Sequence, residues 1–245
     1  MSDLDFIYGA HSAIETLKAG KRKILQLLVE NRKRNPAVDK VILLARQRGI
    51  TVVKTEPGVL DKLCAGGNHQ GVLLKAEPLS LLRLNQAVEL AKNDKNAVWL
   101  AVDEITDPQN LGSIIRSAVC LGASAILLPE RRTAGISPAV HKAASGAVEK
   151  ARLVPVANLT NALLTLKEAG FWIYGADMAG APVGKAQLNK PLVLVIGSEG
   201  AGLRRKTVEH CDGLVSIPQA GTGVQSLNAA CACAILLYAI QQRPG

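Results

Sequence analysis

Residues 217–228 read IPQAGTGVQSLN, between a short apolar strand over 214–217 and an apolar run, LNAACACAILLYAI, with the composition of a helix over 227–240. Ser226 stands where the N-cap of that helix belongs. Gly221 and Gly223 give the connection two positions able to take positive φ and to let a ligand approach the backbone. A plain turn between apolar elements does not need two. The stretch therefore closes a strand, loop and helix unit whose loop is suited to binding.

Upstream, the same unit recurs. Strands are predicted at 97–102, 125–128, 151–156, 171–176 and 192–196, before the strand at 214–217. Helices are predicted between them at 108–121, 137–149, 158–169 and 203–210. Strands such as LVLVI are apolar throughout, which suits a sheet covered on both faces, so residues 97–245 are predicted to form an α/β domain with a mainly parallel sheet. Ligands bind such sheets at the carboxyl ends of the strands. Four segments stand there: DEITDPQNLGSIIRSA (103–118), GADMAG (175–180), GSEGAGL (197–203) and the stretch at 217–228. The first carries Asp107 as an N-cap, Pro108 at the first helical position, then Asn110 and Arg116. The other three are glycine loops, and together they predict a cleft lined by backbone, with Gly175 and Gly200 at the ligand.

The usual nucleotide fingerprints are absent. Gly197 and Gly202 have the GxxxxG spacing of a phosphate-binding P-loop, but Leu203 stands where its lysine must be. Gly200 and Gly202 are followed by Arg205, and Gly221 and Gly223 by Ser226, so neither pair completes GxGxxG.

Residues 1–77 form a second, smaller α/β pattern, with helices at 9–19, from Pro36 to Gly49 and at 57–64, and strands at 24–29, 50–54 and 71–75. Asn35 is read as an N-cap with Pro36 in the first turn. Residues 78–96, with Pro78 and a mostly polar helix at 81–92, are read as the linker. Lys21, Arg22, Lys23, Arg32, Lys33 and Arg34 flank the first of these strands and suggest a rim facing phosphates, against the alternative of a solvated charged turn. His69 and Gln70, in the loop GGNHQG, are candidate RNA contacts, with a plain turn equally open.

Composition narrows the partner. The 245 residues carry a formal net charge of +9, which favours a polyanion, nucleic acid first. Aromatic residues are only 3%, so phosphate and shape recognition fit better than base stacking. The five cysteines contain no CxxC pair and the four histidines no ligand spacing, so neither a metal site nor a disulfide framework is expected. The start, MSDLDFIYGAHS, is not a signal peptide, and the final apolar run of about fourteen residues is too short to span a bilayer. No membrane association and a cytoplasmic location are the expectations.

DPQNLGSIIRSA, LVIGSEGAGL and IPQAGTGVQSLN, in this order over about 120 residues, resemble the three motifs of the SpoU, or TrmH-type, RNA ribose 2'-O-methyltransferases. The resemblance implies a trefoil-knotted C-terminal α/β domain, S-adenosylmethionine as cofactor with S-adenosylhomocysteine as product, a homodimer, and a small N-terminal domain that holds RNA. It places Gly197, Ile217 and Leu227 at the cofactor, and matches Asn110, Arg116, Glu199, Ser226 and Asn228 to the polar active-site positions. The implied substrate is a guanosine of large-subunit (23S) ribosomal RNA. The alternatives are a transfer RNA and a non-catalytic RNA-binding role. Gln219 stands where many relatives have methionine, and the run between Ala220 and Ser226 is one residue longer than in some of them.

Overall fold

The computed structural model describes residues 4–31, 35–64, 67–220 and 226–243. In chain order the elements are β1 (Asp5–Tyr8), α1 (Ala10–Ala19), β2 (Ile24–Glu30), α2 (Pro36–Gln47), β3 (Val52–Thr55), α3 (Pro57–Leu63) and β4 (Val72–Ala76). There follow α4 (Leu84–Ala91), β5 (Val98–Asp103), α5 (Pro108–Cys120), β6 (Ala125–Pro129), α6 (Pro138–Ala144), a 3-10 turn (Ala147–Glu149), β7 (Leu153–Val156) and α7 (Leu159–Glu168). The last are β8 (Trp172–Pro182), β9 (Leu192–Gly197), α8 (Arg205–Val208), β10 (Gly213–Ser216) and α9 (Ala229–Gln241).

Packing divides the chain into two compact units, one of residues 1–80 with 136–150 and one of residues 81–135 with 151–245. Residues 136–150 thus pack with the first unit, although in sequence they lie within 97–245. Residues 84–91 are not a free linker, because the apolar side chains of α4 pack against the core of the second unit.

The first unit is built on a four-stranded sheet of order β1-β4-β2-β3, with β4 antiparallel to both its neighbours and β2 parallel to β3. Its core is Ile7, Leu17, Leu27, Val41 and Leu74 with their apolar neighbours on α1 and α2. Asn35 caps α2 as its position predicts, accepting from the amide of Ala37 at 2.9 Å. No side chain on Gly9 can cap α1. Gln70 does so instead, its Oε1 accepting from Ala10 N at 3.1 Å.

Three of the RNA-contact expectations change here. The Arg22 side chain is only 4% exposed, paired with Asp5 and, at 2.5 Å, with the wholly buried Glu149, so it is not part of an exposed phosphate-facing rim. Burial lowers the His141 imidazole to about 3, helped by the Arg22 guanidinium, whose Nη2 lies 3.3 Å from the ring Nε2. His69 is also buried: its Nδ1 accepts from Gly71 N at 3.0 Å, leaving Nε2–H to donate to Asp61 at 3.1 Å. His69 thus braces its loop, and Gln70 caps a helix. Lys21 and Lys23 remain exposed, while Arg32, Lys33 and Arg34 lie outside the described residues.

The second unit is a six-stranded sheet of order β10-β8-β9-β5-β6-β7, parallel throughout. Every residue of β5 and β9, the two central strands, is buried, which is why VWLAVD and LVLVIG are apolar without alternation. Trp99, Leu127, Leu163, Phe171 and Val193 anchor one layer of its core. From the edge strand β10 the chain returns to the centre, where α9 packs against α5 and β9.

Two boundaries differ from expectation, and both shape the site. The segment GADMAG is not a loop after a strand ending at 176. Instead β8 continues to Pro182, and because Leu214 pairs with Gly175 while Val215 pairs with Ala181, residues 176–180 are pushed out of register with β10. The second change is that α9 begins at Ala229, capped by Asn228 and not by Ser226.

Candidate active site

The carboxyl ends of β9 and β10, the bulge of β8 and the start of α9 surround one cleft. Its larger compartment, about 240 Å³, is lined by residues 176–178, 196–202, Ser226, Leu227, Ala229 and Ala232. A smaller one of about 100 Å³ adds Val215, Ser216, Ile217, Gln219 and Leu236 and shares Ala176, Asp177, Met178, Ser226, Leu227 and Ala232. The shared walls make them two ends of one site.

Of the residues expected at the cofactor, Gly197, Gly200, Ile217 and Leu227 line this cleft. Gly175 does not. It is buried beneath the site, where a Cβ would meet Leu203 Cδ1 at 2.6 Å, Leu214 Cδ2 at 2.9 Å and Cys211 Sγ at 3.0 Å, so its smallness serves packing. Gly197 is required by a close backbone approach. A Cβ there would lie 2.3 Å from the carbonyl carbon and oxygen of Gly202, which bridges back to Ser198 through N–H···O bonds of 3.1 and 3.0 Å. Gly200 and Gly202 both take positive φ, at 79° and 66°. The loop at 197–203 is thus a small closed hairpin whose tip faces the cleft. Gly221 and Gly223 lie outside the described residues.

Polar chemistry concentrates at one end. Glu199 Oε1 accepts from Asn110 Nδ2 at 3.0 Å, from Asn228 Nδ2, and from Ala229 N at 3.4 Å. Asn228 Nδ2 also donates to Asn110 Oδ1 at 2.9 Å. The orientation of Asn228 is set by its capping role, since its Oδ1 accepts from Ala230 N at 2.9 Å and Cys231 N at 3.2 Å, leaving the amide to point at Glu199. Asn110 is fixed from below in the first turn of α5, where Asp107 accepts from its amide at 3.1 Å. Three residues from three distant motifs therefore meet in one network. Ser226 lines the cleft beside them. Arg116 lies on the exposed side of α5, about two turns further along the helix that carries Asn110.

The lining has a sign. Among the described lining residues, Asp177 and Glu199 are the charged side chains and neither compartment has a lysine, arginine or histidine. Such a cleft favours a cation over a phosphate. Met178 and Leu227, 67% and 41% exposed, offer apolar surface at its edge. Burial pushes the Cys211 and Cys233 thiols up to about 11 and about 12, so neither supplies a thiolate nucleophile. Among the described residues, no group of three or more His, Cys, Asp and Glu is placed to hold a metal ion.

Sequence reasoning overlooked Asp177 and Met178, although the polar break in GADMAG directly after an apolar strand marks them.

Comparison with known proteins shows which family the chain resembles along its length. Residues 97–238 match the model of the SpoU rRNA Methylase family, and residues 6–82 match that of RNA 2'-O ribose methyltransferase substrate binding. The chain is 41% identical to an uncharacterized tRNA/rRNA methyltransferase of Synechocystis, over 99% of this chain but only 63% of that longer protein. It is 35% identical to the 23S rRNA (guanosine-2'-O-)-methyltransferase RlmB of Pseudomonas putida, over 99% of this chain and 98% of the relative. The AdoMet-bound rRNA methyltransferase of Sinorhizobium meliloti superposes with a TM-score of 0.78 at 28% identity, covering 98% of this chain and 87% of that one. With the family model spanning more than half its length, the chain belongs to the SpoU rRNA Methylase family.

Proposed function

We propose that the chain transfers the methyl group of S-adenosylmethionine to a ribose 2'-hydroxyl of RNA, at a guanosine of 23S ribosomal RNA. The observation that carries this reading is the Asn110, Glu199 and Asn228 network at the edge of a glycine-backed cleft with acidic and, among the described residues, no basic lining. S-adenosylmethionine fits that cleft chemically, and when bound it supplies an electrophilic methyl on a cationic sulfur. Glu199 and Asp177 favour the positive charge, Gly197 and Gly200 give access to backbone groups, and Ile217 and Leu227 offer apolar contact.

In the transfer, the ribose oxygen forms the new C–O bond, the C–S bond breaks to leave S-adenosylhomocysteine, and the hydroxyl proton leaves. Asn228 and Ser226 position the hydroxyl, and the Ser226 hydroxyl, which can accept and donate at once, passes its proton to solvent. Much of the acceleration comes from in-line placement, which in well-oriented systems contributes roughly 7 to 11 kcal/mol. Arg116 binds the adjacent phosphate and stabilises the developing alkoxide. Arg116→Lys should keep part of the RNA affinity and turnover that Arg116→Ala loses. Equal, total loss of turnover with unchanged RNA affinity would contradict phosphate binding.

The exposed Lys21 and Lys23 of the first unit extend the RNA contact, together with Arg32, Lys33 and Arg34. We also propose a homodimer, because Cys231, Ile235 and Tyr238 form an exposed stripe along α9 at spacings of four and three, and Ile235 and Tyr238 are 43% and 57% exposed. Light scattering should give twice the chain mass. The trefoil knot belongs to the same proposal, supported by the return of α9 from the edge strand to α5 and β9. Among the described residues no helix is long and apolar enough to cross a membrane, and the enzyme is proposed to act in the cytoplasm.

Transfer RNA is the second reading, favoured by the tRNA/rRNA description of the Synechocystis relative. Incubation of the protein with labelled S-adenosylmethionine and separated ribosomal and transfer RNA decides between them by which fraction takes up label. A non-catalytic RNA-binding role would leave both unlabelled, and the complete polar network argues against it.

A further inference from the structure

We propose that Asp103 is a positioning residue for the cofactor loop, holding residues 197–203 by both ends at once. The inference rests on the proposed binding of S-adenosylmethionine in the cleft. Asp103 is the last residue of β5, and in the ladder it lies opposite Gly197, the first residue of the loop. Its carboxylate, 0% exposed, reaches to the other end of the loop: Oδ2 accepts from Arg204 N at 3.1 Å and Thr207 Oγ1 at 2.7 Å, and Oδ1 from Arg204 Nε at 2.6 Å. Backbone pairing thus fixes where the hairpin starts, and the side chain of the same residue fixes where it ends.

Arg204 is the N-cap residue of α8, has no capping side-chain bond there, and carries the chain directly out of the loop. Glu104 supports it from outside, with Oε1 3.7 Å from Arg204 Nε and 3.1 Å from Arg132 Nη1. A wholly buried carboxylate is a costly way to join two elements, and an apolar contact of similar volume often stabilises as well. What the carboxylate adds is a fixed distance and direction, set by three hydrogen bonds. The hairpin between its ends is itself closed by the Ser198 and Gly202 bridge, so a shift at Arg204 moves the tip as a body. That tip, residues 199–202, lines the larger compartment. Glu199 has independent anchors on Asn110 and Asn228, whereas among the described residues the glycines have only the hairpin. Loosening Asp103 should therefore weaken cofactor binding more than it slows the transfer.

Thr207→Val removes one of the three donors with little change of shape, and Thr207→Ser restores the hydroxyl. Binding of S-adenosylhomocysteine by calorimetry should weaken roughly tenfold in Thr207→Val and recover in Thr207→Ser. In turnover the KM for S-adenosylmethionine should rise by more than kcat falls, with RNA affinity unchanged. Amide exchange at Gly202 and Arg204 should quicken in Thr207→Val without any ligand present. Asp103→Asn should show the same pattern more strongly if it folds, and Thr207→Val keeps the test available if it does not. A variant that melts earlier yet binds S-adenosylhomocysteine as the wild type does would overturn the assignment and leave Asp103 a stability residue. A wild-type protein that binds neither cofactor form would overturn the functional reading instead, and with it this one.

Discussion

Replacing Asn228 separates two jobs that the structure gives to one side chain. Its Oδ1 caps α9 through Ala230 N and Cys231 N, and its Nδ2 donates to Glu199 and Asn110. Asn228→Ala loses both. Loss of an N-cap costs about 1 kcal/mol. The lost donors to an exposed carboxylate add no more than about 1 kcal/mol after solvent screening. The sum, about 1 to 2 kcal/mol, lowers the melting temperature of the second unit by roughly 3 to 6 °C for a chain of this size. Asn228→Asp differs: aspartate caps as well as asparagine and suits a helix N-terminus, but it has no donor and sets a second carboxylate against Glu199. At an exposed position that repulsion is about 1 kcal/mol or less. Asn228→Asp should therefore melt closer to wild type than Asn228→Ala does. Its methyl transfer should nevertheless fall about a hundredfold, as when one oriented donor is removed from an active site. Thermal unfolding followed by circular dichroism and transfer of labelled methyl to RNA measure the two effects separately. An active Asn228→Asp beside an inactive Asn228→Ala would show that only the cap matters and refute the role given to the network.

Two further outcomes follow from the geometry. Gly197→Ala would place a methyl 2.3 Å from the backbone of Gly202, so the hairpin must open. Calorimetry should show S-adenosylhomocysteine binding weakened at least tenfold, while normal binding would mean that the loop does not form the cofactor wall. In the first unit His141 stays neutral down to about 3 when folded and takes up its proton near 6.5 when unfolded, so stability is lost as pH falls through that window. Denaturant titrations should show about 2 kcal/mol lost between pH 7 and pH 5, and His141→Gln should flatten that slope, whereas an unchanged slope would contradict the burial argument.

How much of this was legible depended on how local each cause is. The strands VWLAVD and LVLVIG are buried on both faces and apolar for that reason, so their place in a parallel sheet could be read directly. Asp107 and Pro108 act within one turn, and the N-cap was found where they predict it. The start of α9 was harder, because Ser226 and Asn228 are both good caps and Glu199, far away in sequence, orients Asn228. The bulge at 176–180 depends on pairing with β10, which GADMAG itself does not record. Arg22 sits in a basic run that reads as a phosphate-facing rim, yet its partner Glu149 is 127 residues away. Asp103 was hidden for the same reason, since Arg204 and Thr207 lie about a hundred residues downstream. The three motifs could be recognised as motifs. That they meet in one hydrogen-bonded network required the fold.

The most direct measurement is the site and chemistry of the transferred methyl. Purified protein, labelled S-adenosylmethionine and unmodified 23S ribosomal RNA should yield label in one segment of the RNA, and nuclease digestion with mass spectrometry should identify it as 2'-O-methylguanosine. Methylation on a base, or no transfer to any RNA by a protein that is folded and binds the cofactor, would contradict the account.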